Sequence, residues 1–387
     1  MKLGLWILVG GALSVSACST IFGDLGFAGT DTGSEGTTSS TTTSGAGTTS
    51  SAGTTSSAGT TSSTGTGGGC AGADTTTDPM NCGTCGHDCL GSTCASSLCQ
   101  PTVLASGQSS PAAIATDGTN VYWVNEANPG TVMQCTVSDC AGTTITLASN
   151  QDYPDAIAVS STTVFWITQS TLMACSIGGC GGNPTQLVAG APYGVVVHPD
   201  GTHIIWADLT NGTIETCSTV GASCTGTTTT LVSGLQSPGG VAVDATNVYF
   251  SDIKAGVVGK APLAGTGGTG TTLAMGLTRP LAIAINAPTV YFVQFLGGSV
   301  NSVPIGGGMT STIATAQKSP ASVAVDSQHV YWVDSSMTGV VAKCPLTGCS
   351  NGPIYIATGD LPYAVALDEK RVYWVDFGSG TVSWVAK

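Results

Sequence analysis

Residues 102–387 predict an all-β chain folded as a seven-bladed β-propeller with four antiparallel strands per blade, and three observations carry that prediction. The first is a pattern that recurs to the end of the chain. A proline and a small or apolar dipeptide are followed by an Ile-Ala-Val-Asp-like run, a Val-Tyr-Trp-Val-Asp-like run, a Gly-Thr-Val run and a Leu-Ala-x-Gly run. The prolines Pro111, Pro154, Pro192, Pro238, Pro280, Pro320 and Pro362 step by 43, 38, 46, 42, 40 and 42 residues. The second aromatics Trp123, Trp166, Trp206, Phe250, Phe292, Trp332 and Trp374 step by 43, 40, 44, 42, 40 and 42. Two independent markers on one beat of about 41 residues define a repeat array. The second observation is that the first two runs are nearly continuous, as in Val330-Tyr331-Trp332-Val333, so both faces of those strands must be buried. A four-stranded sheet buried between copies of itself is a propeller blade. The third lies at the ends: Thr102–Ser106 is a fourth strand without its first three, while residues 363–387 supply three strands and stop. The early strand is expected to complete the last blade and close the ring.

Ahead of the repeats, residues 1–18 read as an export signal. Lys2 is followed by a short apolar run from Leu3 to Val15 and by Ser16-Ala17-Cys18, a charged region, an apolar region and a small-residue cleavage site. The run is shorter than the ~20 residues of a transmembrane helix. Residues 19–69 form a linker: from Gly23 to Gly69 the chain is Gly, Ser, Thr and Ala with no apolar periodicity, a composition that cannot offset its ordering entropy. Its root-mean-square reach is roughly 40 Å.

Residues 70–101 hold six cysteines, Cys70, Cys82, Cys85, Cys89, Cys94 and Cys99. A Cys-x-x-Cys beside His87 is compatible with zinc, but an exported unit too small for a core needs covalent staples, so disulfides are expected; six cysteines allow fifteen pairings, and spacing does not choose. The other eight, Cys135/Cys140, Cys175/Cys180, Cys217/Cys224 and Cys344/Cys349, bracket the turn between third and fourth strands, and where a repeat lacks one it lacks both. Paired loss predicts hairpin disulfides, each contributing ~2 kcal/mol.

Three resemblances extend this reading. Val15-Ser16-Ala17-Cys18 resembles the bacterial lipobox, which implies lipidation of Cys18 and an exported, lipid-anchored protein of the outer membrane or cell surface. Asn81-Cys82-Gly83-x-Cys85-Gly86-x-x-Cys89 resembles a motif of exported myxobacterial proteins that implies no activity. Pro-x-x-Ile-Ala-Val-Asp followed by Val-Tyr-Trp-Val-Asp is similar to the repeats of the YWTD and NHL propellers. Those families are often six-bladed, so the count of seven rests on this chain.

In a propeller the loop leading into each first strand and the loop between second and third strands share the top face, where ligands usually bind. Tyr153, Asp155, Arg279, Phe295 and Tyr363 lie there and break the repeat pattern, so they are the expected binding residues. Asp208, Asp252, Asp334 and Asp376 share one repeat position and are expected to cap turns. No catalytic residue, metal site or cofactor is assigned, since His198, His203 and His329 fall at the turn between first and second strands, on the opposite face.

Charged residues make up 8% of the chain and its net charge is −13; residues 102–387 alone hold 16 acidic and 8 basic side chains. That balance disfavours nucleic acid and other polyanions. The expected function is a monomeric, non-catalytic surface protein that binds a protein or polysaccharide, the membrane being contacted only through the lipid. The alternative is a metal-dependent propeller enzyme resembling lactonases or streptogramin lyases.

Overall fold

A computed structural model describes residues 74–190, 192–219, 224, 228–265 and 267–387. The expected signal, Cys18, the linker and Cys70 lie outside these residues. The described residues from 74 onward belong to one compact unit.

Residues 102–387 form seven four-stranded antiparallel sheets. Their first strands are Pro111–Thr116, Ala156–Val159, Pro192–Val197, Pro238–Val243, Pro280–Asn286, Pro320–Val325 and Pro362–Leu367, here blades 1 to 7. Each first strand packs against the first strands of both neighbouring blades, so the ring is closed around an axis. Closure is made as the sequence predicts: Thr102–Ala105 is the fourth strand of blade 7, with Thr102 opposite Trp384, Val103 opposite Ser383 and Ala105 opposite Val382. Among the described residues, helix is confined to the single turn Cys140–Thr143.

The second strands form the deepest layer. Trp123, Trp166, Trp206, Trp332 and Trp374 are fully buried, as are Tyr122, Tyr249, Tyr331 and Tyr373. Burying an indole N–H or a phenol O–H requires a partner. The phenols are satisfied from the turn that precedes them. Asp117, Asp244, Asp326 and Asp368 each accept the backbone N–H groups two and three residues on with Oδ1, and the hydroxyl of the tyrosine five residues on with Oδ2. Burial, and then the carboxylate, push these hydroxyls well above their ordinary pKa. Three indoles are satisfied from the other side of the blade: Trp123, Trp166 and Trp332 donate to Gln108, Gln151 and Gln317, each three residues before the blade's proline. Where the aromatic is Phe250 or Phe292, the corresponding residue is Leu235 or Leu277.

A recurring glycine brings consecutive loops together. Gly212, Gly256, Gly298 and Gly380 precede the third strand with φ between 56° and 65°. A Cβ there would run into the carbonyl oxygen of Leu235, Leu277, Gln317 or Gln108, the residues leading to the next proline. Only glycine adopts this conformation and permits this approach without strain.

Disulfides join Cys135–Cys140, Cys175–Cys180, Cys217–Cys224 and Cys344–Cys349 across the hairpins. In the cysteine-rich segment, Cys82 pairs with Cys94 and Cys89 with Cys99; Cys85 is also disulfide-bonded. The sulfurs are consumed in disulfides, so the zinc alternative has no thiolates to use among these described cysteines.

Asp244→Ala removes the caps of a turn and strands the Tyr249 hydroxyl in the core, so a loss of about 2 kcal/mol or more is expected, against about 1 kcal/mol for Tyr249→Phe. Urea midpoints of the two variants check the ordering.

Candidate functional site

The top face is stitched by one repeated hydrogen bond. The carbonyl of the residue before the proline accepts the N–H of the residue just past the second strand: Ser110 from Glu126, Ser237 from Ile253, Arg279 from Phe295, Ser319 from Ser335 and Leu361 from Phe377. The lead-in loops nevertheless come in two kinds. In blades 4 and 6, Asp252 and Asp334 accept the backbone N–H groups of the two residues before the proline, Gln236 and Ser237 or Lys318 and Ser319. These are the expected caps. Asp208 instead caps its own loop, through the N–H groups of Thr210 and Asn211.

In blades 1, 2, 5 and 7 the residue before the proline is left-handed: Ser110 (φ 56°), Tyr153 (φ 45°), Arg279 (φ 55°) and Leu361 (φ 56°); blades 1, 2 and 5 have no aspartate at the end of the second strand, and blade 7 has Asp376. A side chain held in that region costs about 1 kcal/mol or more. Asp376 departs from the capping expectation: its Oδ2 accepts Trp374 Nε1 at 2.9 Å and Thr381 Oγ1 at 3.2 Å, and burial pushes its pKa up to about 6.

The expected binding residues therefore occupy two places. Arg279 and Phe295 are joined across blade 5 by a 3.0 Å backbone bond, and Phe295 is only 7% exposed, so its ring has little surface to offer. Tyr153, Asp155 and Tyr363 lie on the arc of blades 7, 1 and 2. The Tyr363 and Phe377 rings stand 5.6 Å apart and pack against the buried cluster that holds Ala112 and Ala113 of blade 1. The Tyr153 N–H donates to Ala127, and Asp152 accepts the side-chain N–H of Asn128 at 2.7 Å, which fixes the blade 2 lead-in to the blade 1 loop.

Between them stands a pair of carboxyls. Glu126, not among the expected residues, is buried, and Asp155 has its Oδ1 withdrawn from solvent although the residue as a whole keeps some exposure. Burial, then the charge of Glu126, raise the Asp155 pKa to about 8. Asp155 is thus largely protonated at neutral pH beside a second carboxyl. Asn125 Oδ1, Asp155 Oδ1 and Asp376 Oδ1, all buried on this arc, make no hydrogen bond within the protein. The arc thus carries Tyr153 and Tyr363 together with three buried acceptors that have no donor in the protein. Glu126 sits at the position of Ile253 and Ser335 in the repeat, and a carboxylate there is the signal that would have found it.

On the opposite face, the turn before the second strand of blade 3 brings His198, Asp200 and His203 together.

No family model matches the chain, and no curated protein matches it. Solved structures do. Virginiamycin B lyase from Staphylococcus aureus superposes with a TM-score of 0.62 at 12% identity, over 74% of this chain and 98% of the lyase. A structure of a nidogen/laminin complex gives a TM-score of 0.50 at 18% identity, over 64% of this chain and 97% of that one. A computationally designed protein, Ika8, gives 0.54 at 15% identity over 74% of this chain and 98% of its own length. At these identities the likeness establishes the propeller fold.

The Asp155 proton predicts a pH dependence. The folded state holds it more tightly than the unfolded chain, so its contribution to stability is full below pH 3.8 and is lost as the pH rises toward about 8. Asp155→Asn should flatten the fall in melting temperature across that window. An Asn variant that follows the wild-type slope would refute the assignment.

Proposed function

We propose that this chain is an exported, surface-tethered binding protein whose propeller captures a hydrogen-bond-donating partner, a surface protein or a polysaccharide, on the arc of blades 7, 1 and 2. The observation that carries the reading is the set of buried acceptors on that arc, Asn125 Oδ1, Asp155 Oδ1 and Asp376 Oδ1, with no donor inside the protein. Buried acceptors left unpaired are costly, and a partner bearing hydroxyl, ammonium or guanidinium groups would pair them. The surplus of 16 acidic over 8 basic side chains in residues 102–387 points the same way, toward neutral or cationic partners.

Tyr153 and Tyr363 supply rigid aromatic contact at little cost in side-chain entropy, and Tyr153 keeps its side chain in a left-handed position that glycine would fill without strain. A lipidated Cys18 and the linker of residues 19–69 would hold this face clear of a membrane. The nidogen in its complex with laminin offers a precedent for a propeller with a protein partner.

A second reading rests on Asp155 and Glu126. A protonated carboxyl beside a second carboxyl is an acid–base arrangement, and the fold is shared with virginiamycin B lyase, so a lyase-like activity is the alternative.

The test is recovery of partners from cell-surface extracts and glycan arrays by the wild-type chain and by Tyr153→Ala/Tyr363→Ala. The double variant should lose at least about tenfold in retention, as expected when two aromatic anchors are removed. Equal recovery would remove the arc as the binding site, and turnover of an arrayed ligand that is abolished by Asp155→Asn would favour the enzyme.

A further inference from the structure

Blade 3 differs from the other blades at the turn between its first and second strands. Four blades share a device there: an aspartate whose Oδ1 caps two amides and whose Oδ2 holds the hydroxyl of a tyrosine five residues on. Asp200 keeps the first half, accepting the N–H groups of Thr202 at 2.7 Å and His203 at 3.1 Å with Oδ1. Five residues on stands Ile205, which has no hydroxyl. The place of the phenol at Oδ2 is taken by two imidazoles, His198 Nδ1 at 2.9 Å and His203 Nδ1 at 2.7 Å.

The second histidine comes within reach because this turn is longer. It closes from the His198 N–H to the His203 carbonyl, whereas the blade 1 turn closes from Asp117 to Asn120. Gly201, with φ 70°, donates its N–H to the His198 carbonyl and sets the turn's shape.

The protons decide what this cluster is. His198 Nδ1 accepts the backbone N–H of Asp200 at 3.1 Å, so that nitrogen carries a lone pair. The same nitrogen faces a carboxylate oxygen at 2.9 Å, and the Thr202 hydroxyl stands 3.1 Å from His203 Nδ1. Two acceptors at that distance repel unless a proton or a metal ion lies between them, and a metal ion would serve both ring nitrogens and the carboxylate at once. The three ligand atoms lie within 4.8 Å of one another, and donors bound at ~2.1 Å around one tetrahedral ion stand ~3.4 Å apart. Two imidazoles with one carboxylate suit a first-row transition cation, whereas calcium and magnesium prefer all-oxygen shells.

We propose that His198, Asp200 and His203 form a Zn²⁺ site whose remaining coordination position opens toward solvent. The cluster lines a cleft of about 490 Å³ between blades 3 and 4, walled also by Ile205, Thr216, Thr229 and Leu263. The Ile205 side chain stands where other blades carry the tyrosine. Three protein ligands and an exchangeable fourth position make a Lewis-acid site able to take a small anion or carbonyl from the cleft. This site is independent of the top-face acceptors, so either proposal can fail alone.

The experiment uses the full chain without a polyhistidine tag, stripped with EDTA and dialysed against Zn²⁺, with elemental analysis and, after exchange for Co²⁺, visible absorption. One Zn²⁺ per chain is expected, with the d–d bands of a low-coordinate site. His203 is half exposed, so His203→Gln should leave the melting temperature of the metal-free protein unchanged while weakening Zn²⁺ binding at least tenfold. His198→Gln should also weaken Zn²⁺ binding at least tenfold, and His87→Gln and His329→Gln should bind as the wild type does. Absence of stoichiometric Zn²⁺, or wild-type uptake by either the His203 or the His198 variant, would overturn the site.

Discussion

The constraint on which the rest of this molecule depends is the double-sided burial of its second strands. A strand packed on both faces takes large apolar residues, and tryptophan and tyrosine bring one polar atom each into a layer that water does not reach. Such atoms need side-chain partners at the ends of the blade, since the sheet ladder uses only backbone groups. The turn aspartates answer the tyrosines from one face of the ring, and the lead-in glutamines answer the tryptophans from the other. Loops at both ends of each blade are thereby tied to its core. A low-charge chain with short strands can afford little slack, and these ties supply rigidity that its surface does not.

That constraint also explains what could be read in advance. The beat of the prolines and aromatics, the blade count, the closing strand and the hairpin disulfides are all local or periodic, and they are visible in spacing. Two further regularities lie in the same repeats. In four blades tyrosine accompanies an aspartate five residues earlier, while Tyr291 accompanies Asn286 and Phe165 accompanies Ser160; tryptophan accompanies a glutamine before the proline in three blades, while Phe250 and Phe292 accompany leucines. Each is a donor matched to an acceptor, or an apolar ring matched to an apolar neighbour. Pairing of that kind is legible once burial is granted.

The candidate site was legible only as a list of exceptions. Tyr153 and Arg279 stand out in the repeat because their blades lack the aspartate that caps the lead-in loop, and the loop there turns left-handed, as it also does in blade 7, where Asp376 is present but does not cap. Nothing in a single residue announces that φ. Phe295 breaks the pattern for a different reason: it fills space beneath the loop and is buried. An irregular residue at a loop position can thus be contact surface or local packing, and the sequence treats the two alike. Glu126 is the stronger anomaly, an acid at a position held elsewhere by Ile253 or Ser335.

Repetition itself is what makes such anomalies informative. Seven copies of one unit act as internal controls, each showing what the scaffold needs at a given position. Where four blades use an aspartate to hold a tyrosine, the fold requires an acceptor for a buried phenol and nothing more. In blade 3 the phenol is gone and the acceptor remains, with two imidazoles brought to it by a longer turn. In blades 7, 1 and 2 the acceptors remain and the donors are missing. Both departures leave polar capacity that folding does not use, on opposite faces of the ring. Because the scaffold is satisfied elsewhere without it, that capacity is where we propose this chain binds something other than itself.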